Sequence, residues 1–135
     1  MTPEFLAAVI DTLLPGEEAL PCGTRAGLDP AAYASAHRAA FDAVAAQAGS
    51  DERFARADES ARTAILNAVE RALPDAFRAL LVAVLSDYYE APPVLAALGW
   101  RIDPPQPSGH AMPKLDDPTT ERLERVGRRA KLWRA

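Results

Sequence analysis

Apolar residues recur at intervals of three and four along most of the chain, the spacing that places side chains on one face of an α-helix. The first such stretch begins after Thr2 and Pro3, residue types that suit a helix N-cap and first turn. It ends at Pro15-Gly16, and a polar loop then leads to Leu28. The inner face of this first predicted helix consists of Phe5, Leu6, Val9, Ile10, Leu13 and Leu14.

A second predicted helix opens at Asp29-Pro30 and runs without interruption to Ala48. It is rich in alanine, and Gly49 ends it because glycine readily adopts the left-handed conformation that follows many helices. Its predicted buried stripe comprises Tyr33, His37, Ala40, Phe41 and Val44.

Two more long helices follow a short predicted turn at residues 50–54. One is capped near Asp58 and runs to Leu73, where Pro74 breaks the chain and the next helix begins. Residues 93–98 predict one or two further helical turns. The predicted inner faces are Ile65, Leu66, Val69 and Leu73 on the first helix, and Phe77, Leu80, Leu81, Val84, Leu85 and Tyr88 on the second, with Val82 extending that stripe.

The chain changes character over residues 101–117, where closely spaced prolines exclude a regular element and favour an extended path. Asp117-Pro118 then predicts the start of a basic C-terminal helix over residues 118–135, with Leu123, Val126, Ala130 and Trp133 as a narrow apolar stripe. No stretch alternates as a strand would. We therefore expect an all-α fold of about five helices in a single domain over residues 1–135, interrupted by the proline-rich segment.

Composition narrows the classes of partner and of compartment. A formal net charge of −4 disfavours nucleic acid as the main partner, and every apolar segment is too interrupted to span a membrane. The single cysteine, Cys22, has no partner for an internal disulfide. The residues after Met1 carry no export signal, which predicts a cytoplasmic protein, or a periplasmic one if it is exported with a partner or has lost a signal.

No constellation of residues predicts catalysis or a cofactor in this chain. His37 falls on an apolar stripe, and His110 stands alone in the proline-rich segment. Cys22 has no neighbouring base, metal-ligand spacing is absent, and Asp116-Asp117 is best explained as a helix cap and its neighbour. No phosphate-binding glycine loop occurs. A stand-alone enzyme that uses His37 or His110 is kept as a rival hypothesis.

The C-terminal helix allows three interpretations. Its arginines and lysine are compatible with a stand-alone adaptor that binds an anionic surface, either a membrane or a nucleic acid. The same residues are expected of a solvated basic face on a helix docked by Leu123, Val126 and Trp133. A helix that meets an acidic partner surface agrees best with the other features of the chain.

The segment from Tyr88 to Trp100 concentrates large aromatic residues around a Pro-Pro pair. Tyr88 continues the apolar stripe of its helix and is expected in the core, whereas Tyr89 falls off that stripe and is free to contact a partner. Trp100 either covers the core or anchors an interface, and both interpretations stay open. Since long irregular segments in small domains are commonly functional, the proline-rich segment favours an interface.

These residues resemble the gluconate 2-dehydrogenase subunit 3 family. The resemblance lies in the run Leu85-Ser86-Asp87-Tyr88-Tyr89, followed by Pro92, Val94 and Ala97-Leu98-Gly99-Trp100 and then by a proline- and glycine-containing loop. The opening helix, Val9-Ile10-Asp11-Thr12-Leu13-Leu14-Pro15-Gly16, is also similar to the first helix of that family.

The resemblance implies a non-catalytic small subunit that binds and stabilises a large flavin-dependent dehydrogenase of the glucose-methanol-choline type and assists its maturation. FAD is then expected in the partner and no cofactor in this chain, and a cytochrome subunit often accompanies such complexes. Family members often carry a twin-arginine export signal, from which this sequence departs. The residues that we expect at the partner interface are Tyr89, Trp100, Pro104, Pro105, His110, Arg125, Arg129 and Trp133.

Overall fold

The computed structural model describes residues 1–100 and 116–128, and all eight helices named below lie in those two ranges. The chain divides into two compact units, Met1–Ile102 and Asp103–Ala135. The expectation of an all-α fold is confirmed. The eight helices are α1 (Pro3–Leu13), α2 (Pro30–Ala36), α3 (Arg38–Ala48), α4 (Asp51–Arg56), α5 (Glu59–Ala72), α6 (Pro74–Glu90), α7 (Pro92–Ala97) and α8 (Asp117–Gly127).

The capping residues expected from the sequence begin three helices of the first unit. The side chains of Thr2, Asp29 and Asp58 accept hydrogen bonds from the backbone amides of Phe5, Ala31 and Ala61. Each bond satisfies a donor that the first helical turn leaves without a partner. Gly49 ends α3 with φ of 88°, as predicted.

The predicted second helix is two helices, because His37 leaves the helical conformation at φ −119° and ψ 40°. The expectation that His37 lies on a buried stripe is wrong, since its side chain is only partly buried at this corner. The break lets α2 pack against α1 and α6 while α3 packs against α4, α5 and α6. No glycine or proline marks the break in the sequence, so packing decides it.

The short turn predicted at residues 50–54 is instead the N-cap and most of the short helix α4 (Asp51–Arg56). Ser50 accepts a hydrogen bond from the backbone amide of Arg53 and caps the helix. At the other end, the guanidinium of Arg62 on α5 donates to the backbone carbonyls of Phe54 and Ala55. These carbonyls lie in the last turn of α4; that of Phe54 also accepts from the Ala57 amide, and the guanidinium adds to the hydrogen bonds that close this end of the helix. Residues on two neighbouring elements therefore stabilise a helix that is too short to persist alone.

The core of the first unit forms where α1, α3, α4, α5 and α6 converge. The Phe5 ring meets those of Phe41 and Phe54 edge to face, with centroid distances of 6.4 and 5.6 Å. All three side chains are fully buried. The other fully buried large residues are Val9, Ile10, Val44, Leu80, Val84 and Val94.

Two apolar residues predicted to be buried are exposed. Leu73 occupies the corner between α5 and α6, where its non-helical backbone turns the side chain away from the inner face of α5. Val82 lies about 200° around α6 from Leu80 and Val84, so it points to the opposite side of the helix. Apolar character alone does not bury a residue that the helical period directs outwards.

The second unit is described over residues 116–128 only. Its helix begins one residue earlier than predicted, because Asp116 rather than Asp117 is the N-cap and accepts a hydrogen bond from the Thr119 amide. Hydrogen bonds from Thr119 hold the pKa of the Asp116 carboxyl below its usual value. Leu123 and Val126, the described part of the predicted apolar stripe, are both exposed, and docking of this helix through them stays a prediction. The expectation of one domain over 1–135 stays a prediction.

Candidate interaction surface at the α6–α7 junction

The junction between α6 and α7 is built by a proline pair that follows a small residue. Ala91 adopts an extended conformation (φ −66°, ψ 128°), which the residue before a proline favours. Pro92 and Pro93 then open α7, where their missing amide donors leave no helical hydrogen bond unmade. Because Ala91 and Val94 are buried, the short helix α7 is anchored to the core and its outer residues have fixed positions.

The two tyrosines before this junction have different environments, as the sequence predicted. Tyr88 is 4% exposed, and its hydroxyl donates a 2.7 Å hydrogen bond to the backbone carbonyl of Pro21. Tyr89 is 53% exposed, and its ring stands edge to face against that of Tyr88 at a centroid distance of 5.4 Å. The buried ring therefore supports the exposed one and limits its freedom.

Burial is the largest cause of a raised pKa at Tyr88. The neighbouring Tyr89, Cys22 and Glu17 raise the pKa further. Its hydroxyl is therefore a neutral donor at neutral pH, as its bond to the Pro21 carbonyl requires.

Gly99 and Trp100 end α7 in a Schellman motif. The Trp100 amide donates to the carbonyl of Leu95 at 2.8 Å, and the Gly99 amide donates to that of Ala96 at 3.0 Å. Gly99 has φ of 70°, a conformation that side chains disfavour, which explains glycine before the tryptophan. The indole of Trp100 is 69% exposed, so the interpretation in which it covers the core is wrong. Leu98, two residues before Trp100, is 51% exposed.

A loop that precedes α2 supports the junction from the core side. The Asp11 carboxylate on α1 accepts hydrogen bonds from the Thr24 amide and from the Thr24 hydroxyl, both at 2.8 Å. The Cys22 thiol lies 3.6 Å from the same hydroxyl and is half-buried. Gly23 packs so closely on α1 that an added Cβ would lie 2.6 Å from a methyl carbon of Ile10. This loop is therefore fixed, and with it the Pro21 carbonyl that receives Tyr88.

An open groove of about 370 Å³ lies between this loop and the α6–α7 junction. Small and apolar residues line it, among them Leu28, Ala32, Ala91 and Pro92. Three carboxylates, those of Asp29, Asp87 and Glu90, also line it, and so does Tyr33. We call this feature the acidic groove.

Tyr33 and Asp87 connect the two walls of the acidic groove. The Tyr33 hydroxyl donates a hydrogen bond to the Asp87 carboxylate. Burial raises the pKa of Tyr33 above its ordinary value, and the hydrogen bond to Asp87 and the charges of Asp87 and Asp29 add to this effect. Tyr33 therefore stays protonated at neutral pH and holds the Asp87 carboxylate in one orientation.

Only three of the eight predicted interface residues lie in the described part of the chain. Tyr89 lies at the end of α6, Trp100 follows the end of α7, and both are exposed. Arg125 lies on α8 in the second unit and is exposed there. The other predicted interface residues, Pro104, Pro105, His110, Arg129 and Trp133, lie outside the described residues.

Sequence reasoning missed Tyr33, Asp87 and Leu98. Tyr33 and Asp87 are 54 positions apart, and no local signal links them. Leu98 was visible as the last apolar residue before the Gly-Trp pair, but its apolar character gave no signal of its exposure.

Within residues 1–100 and 116–128, no three histidine, cysteine, aspartate or glutamate side chains lie close enough together to hold a metal ion. In the same ranges no helix combines the length and the apolar character that crossing a membrane requires. What the junction offers chemically is two kinds of contact. Exposed aromatic rings provide apolar area, and the acidic groove provides negative charge.

Comparison with family models, with curated proteins and with solved structures finds no match to this chain.

Proposed function

We propose that this chain is the non-catalytic small subunit of a flavin-dependent sugar or alcohol dehydrogenase of the glucose-methanol-choline type. It binds and stabilises the large subunit, which carries FAD, and it assists the maturation of that subunit. As the resemblance implies, a cytochrome subunit can accompany the large subunit in the complex.

The observation that supports this proposal most is the exposure of large side chains at the end of α6 and just after α7. Tyr89, Leu98 and Trp100 each expose more than half of their surface. Tryptophan and tyrosine are the residues most enriched among those that dominate binding energy at protein interfaces. We call Tyr89 and Trp100 the aromatic anchors.

Rigid support makes the aromatic anchors suited to binding. Tyr89 stands against the buried ring of Tyr88, and the Schellman motif fixes the backbone of Trp100. A side chain whose backbone is already ordered loses less conformational entropy when a partner covers it. The resemblance to the gluconate 2-dehydrogenase subunit 3 family implies the class of partner, and the aromatic anchors supply a surface for it.

The anionic-surface alternative gains no support from the described part of the C-terminal helix. Residues 116–128 contain three arginines and four carboxylates, so positive charge is not in excess there. One of these arginines, Arg128, pairs with Glu124 at 3.2 Å. Binding to an anionic surface requires an excess of basic side chains, which this stretch lacks.

Co-purification from the native host tests the proposal. A tagged wild-type chain is expected to retain a large subunit with the absorbance spectrum of an oxidised flavin. Trp100→Ala and Tyr89→Ala are each expected to weaken that association by about 2 kcal/mol or roughly 30-fold, the size typical of interface hot spots.

Leu73→Ala is the matched control, since Leu73 is also an exposed apolar residue but lies at the opposite end of α6. It should leave the association unchanged. Failure of the wild-type chain to retain any flavoprotein would contradict the proposal. Equal retention by wild type and by the Trp100→Ala and Tyr89→Ala variants would remove the aromatic anchors from the interface.

A further inference from the structure

We draw no further inference here: the strongest candidate, the exposed apolar stripe that Val82 and Tyr89 form two turns apart on the outer face of α6, is an unpartnered surface, and nothing in the structure shows what covers it.

Discussion

The hydroxyl of Tyr88 donates a 2.7 Å hydrogen bond to the backbone carbonyl of Pro21, which ties the end of α6 to the loop between α1 and α2. The two residues are 67 positions apart. The bond joins the segment that carries the exposed aromatic residues to the loop that follows α1, which Asp11 of α1 holds in place through Thr24. The position of Tyr89 on the surface thus depends on a contact made inside the protein.

Tyr88→Phe is expected to lower the free energy of unfolding by about 1 kcal/mol, because it leaves the Pro21 carbonyl without its donor. Urea unfolding followed by circular dichroism measures the change. Tyr89→Phe is the control, since Tyr89 is exposed, and it should stay within about 0.5 kcal/mol of wild type. Equal losses in the two variants would contradict the structural role of the Tyr88 hydroxyl.

Asp11→Ala should lower the free energy of unfolding by about 2 kcal/mol. It removes a charged acceptor from two hydrogen bonds, to the amide and to the hydroxyl of Thr24. Chemical denaturation checks the value. Asp42→Ala removes only an exposed ion pair with Arg38 and is expected to cost about 0.5 kcal/mol or less. A larger effect at Asp42 than at Asp11 would be inconsistent with this account.

Phe5→Ala is expected to lower the free energy of unfolding by about 3–5 kcal/mol, because it opens a cavity between two other buried rings. Leu98→Ala, at an exposed position, should change stability by about 0.5 kcal/mol at most. Thermal unfolding of the two variants side by side gives the comparison. A folded Phe5→Ala protein with wild-type stability would mean that the core is not centred on these rings.

The raised pKa of Tyr33 predicts a loss of stability in alkali. Since the pKa of Tyr33 in the folded protein exceeds that in the unfolded chain, its contribution is complete below about pH 10. It is lost as the pH rises from there towards the folded-state pKa, with a slope of up to about 1.4 kcal/mol per pH unit. Tyr33→Phe removes the titrating group, so its stability should fall less steeply above pH 10 than that of wild type. Parallel curves from urea unfolding across this range would refute the expectation.

Local sequence signals were sufficient for several elements. The caps at Thr2, Asp29 and Asp58 and the stop at Gly49 were predictable, because each depends on hydrogen bonds or backbone angles within a few residues. The burial of Tyr88 and the exposure of Tyr89 followed from helical periodicity in the same way. The break at His37 and the helix at residues 51–56 were not predictable, since packing and the guanidinium of Arg62 stabilise them.

The sequence by itself determined the all-α fold class and the different exposure of the two adjacent tyrosines, Tyr88 and Tyr89. Both depend on residues three and four positions apart, which form the turns of a helix and share one of its faces. Only the tertiary structure decided that Trp100 is exposed, that Tyr33 reaches Asp87, and that Asp29, Asp87 and Glu90 share one groove. The physical reason is distance along the chain. Contacts between residues more than fifty positions apart form only when the core brings their helices together, and no local pattern encodes them.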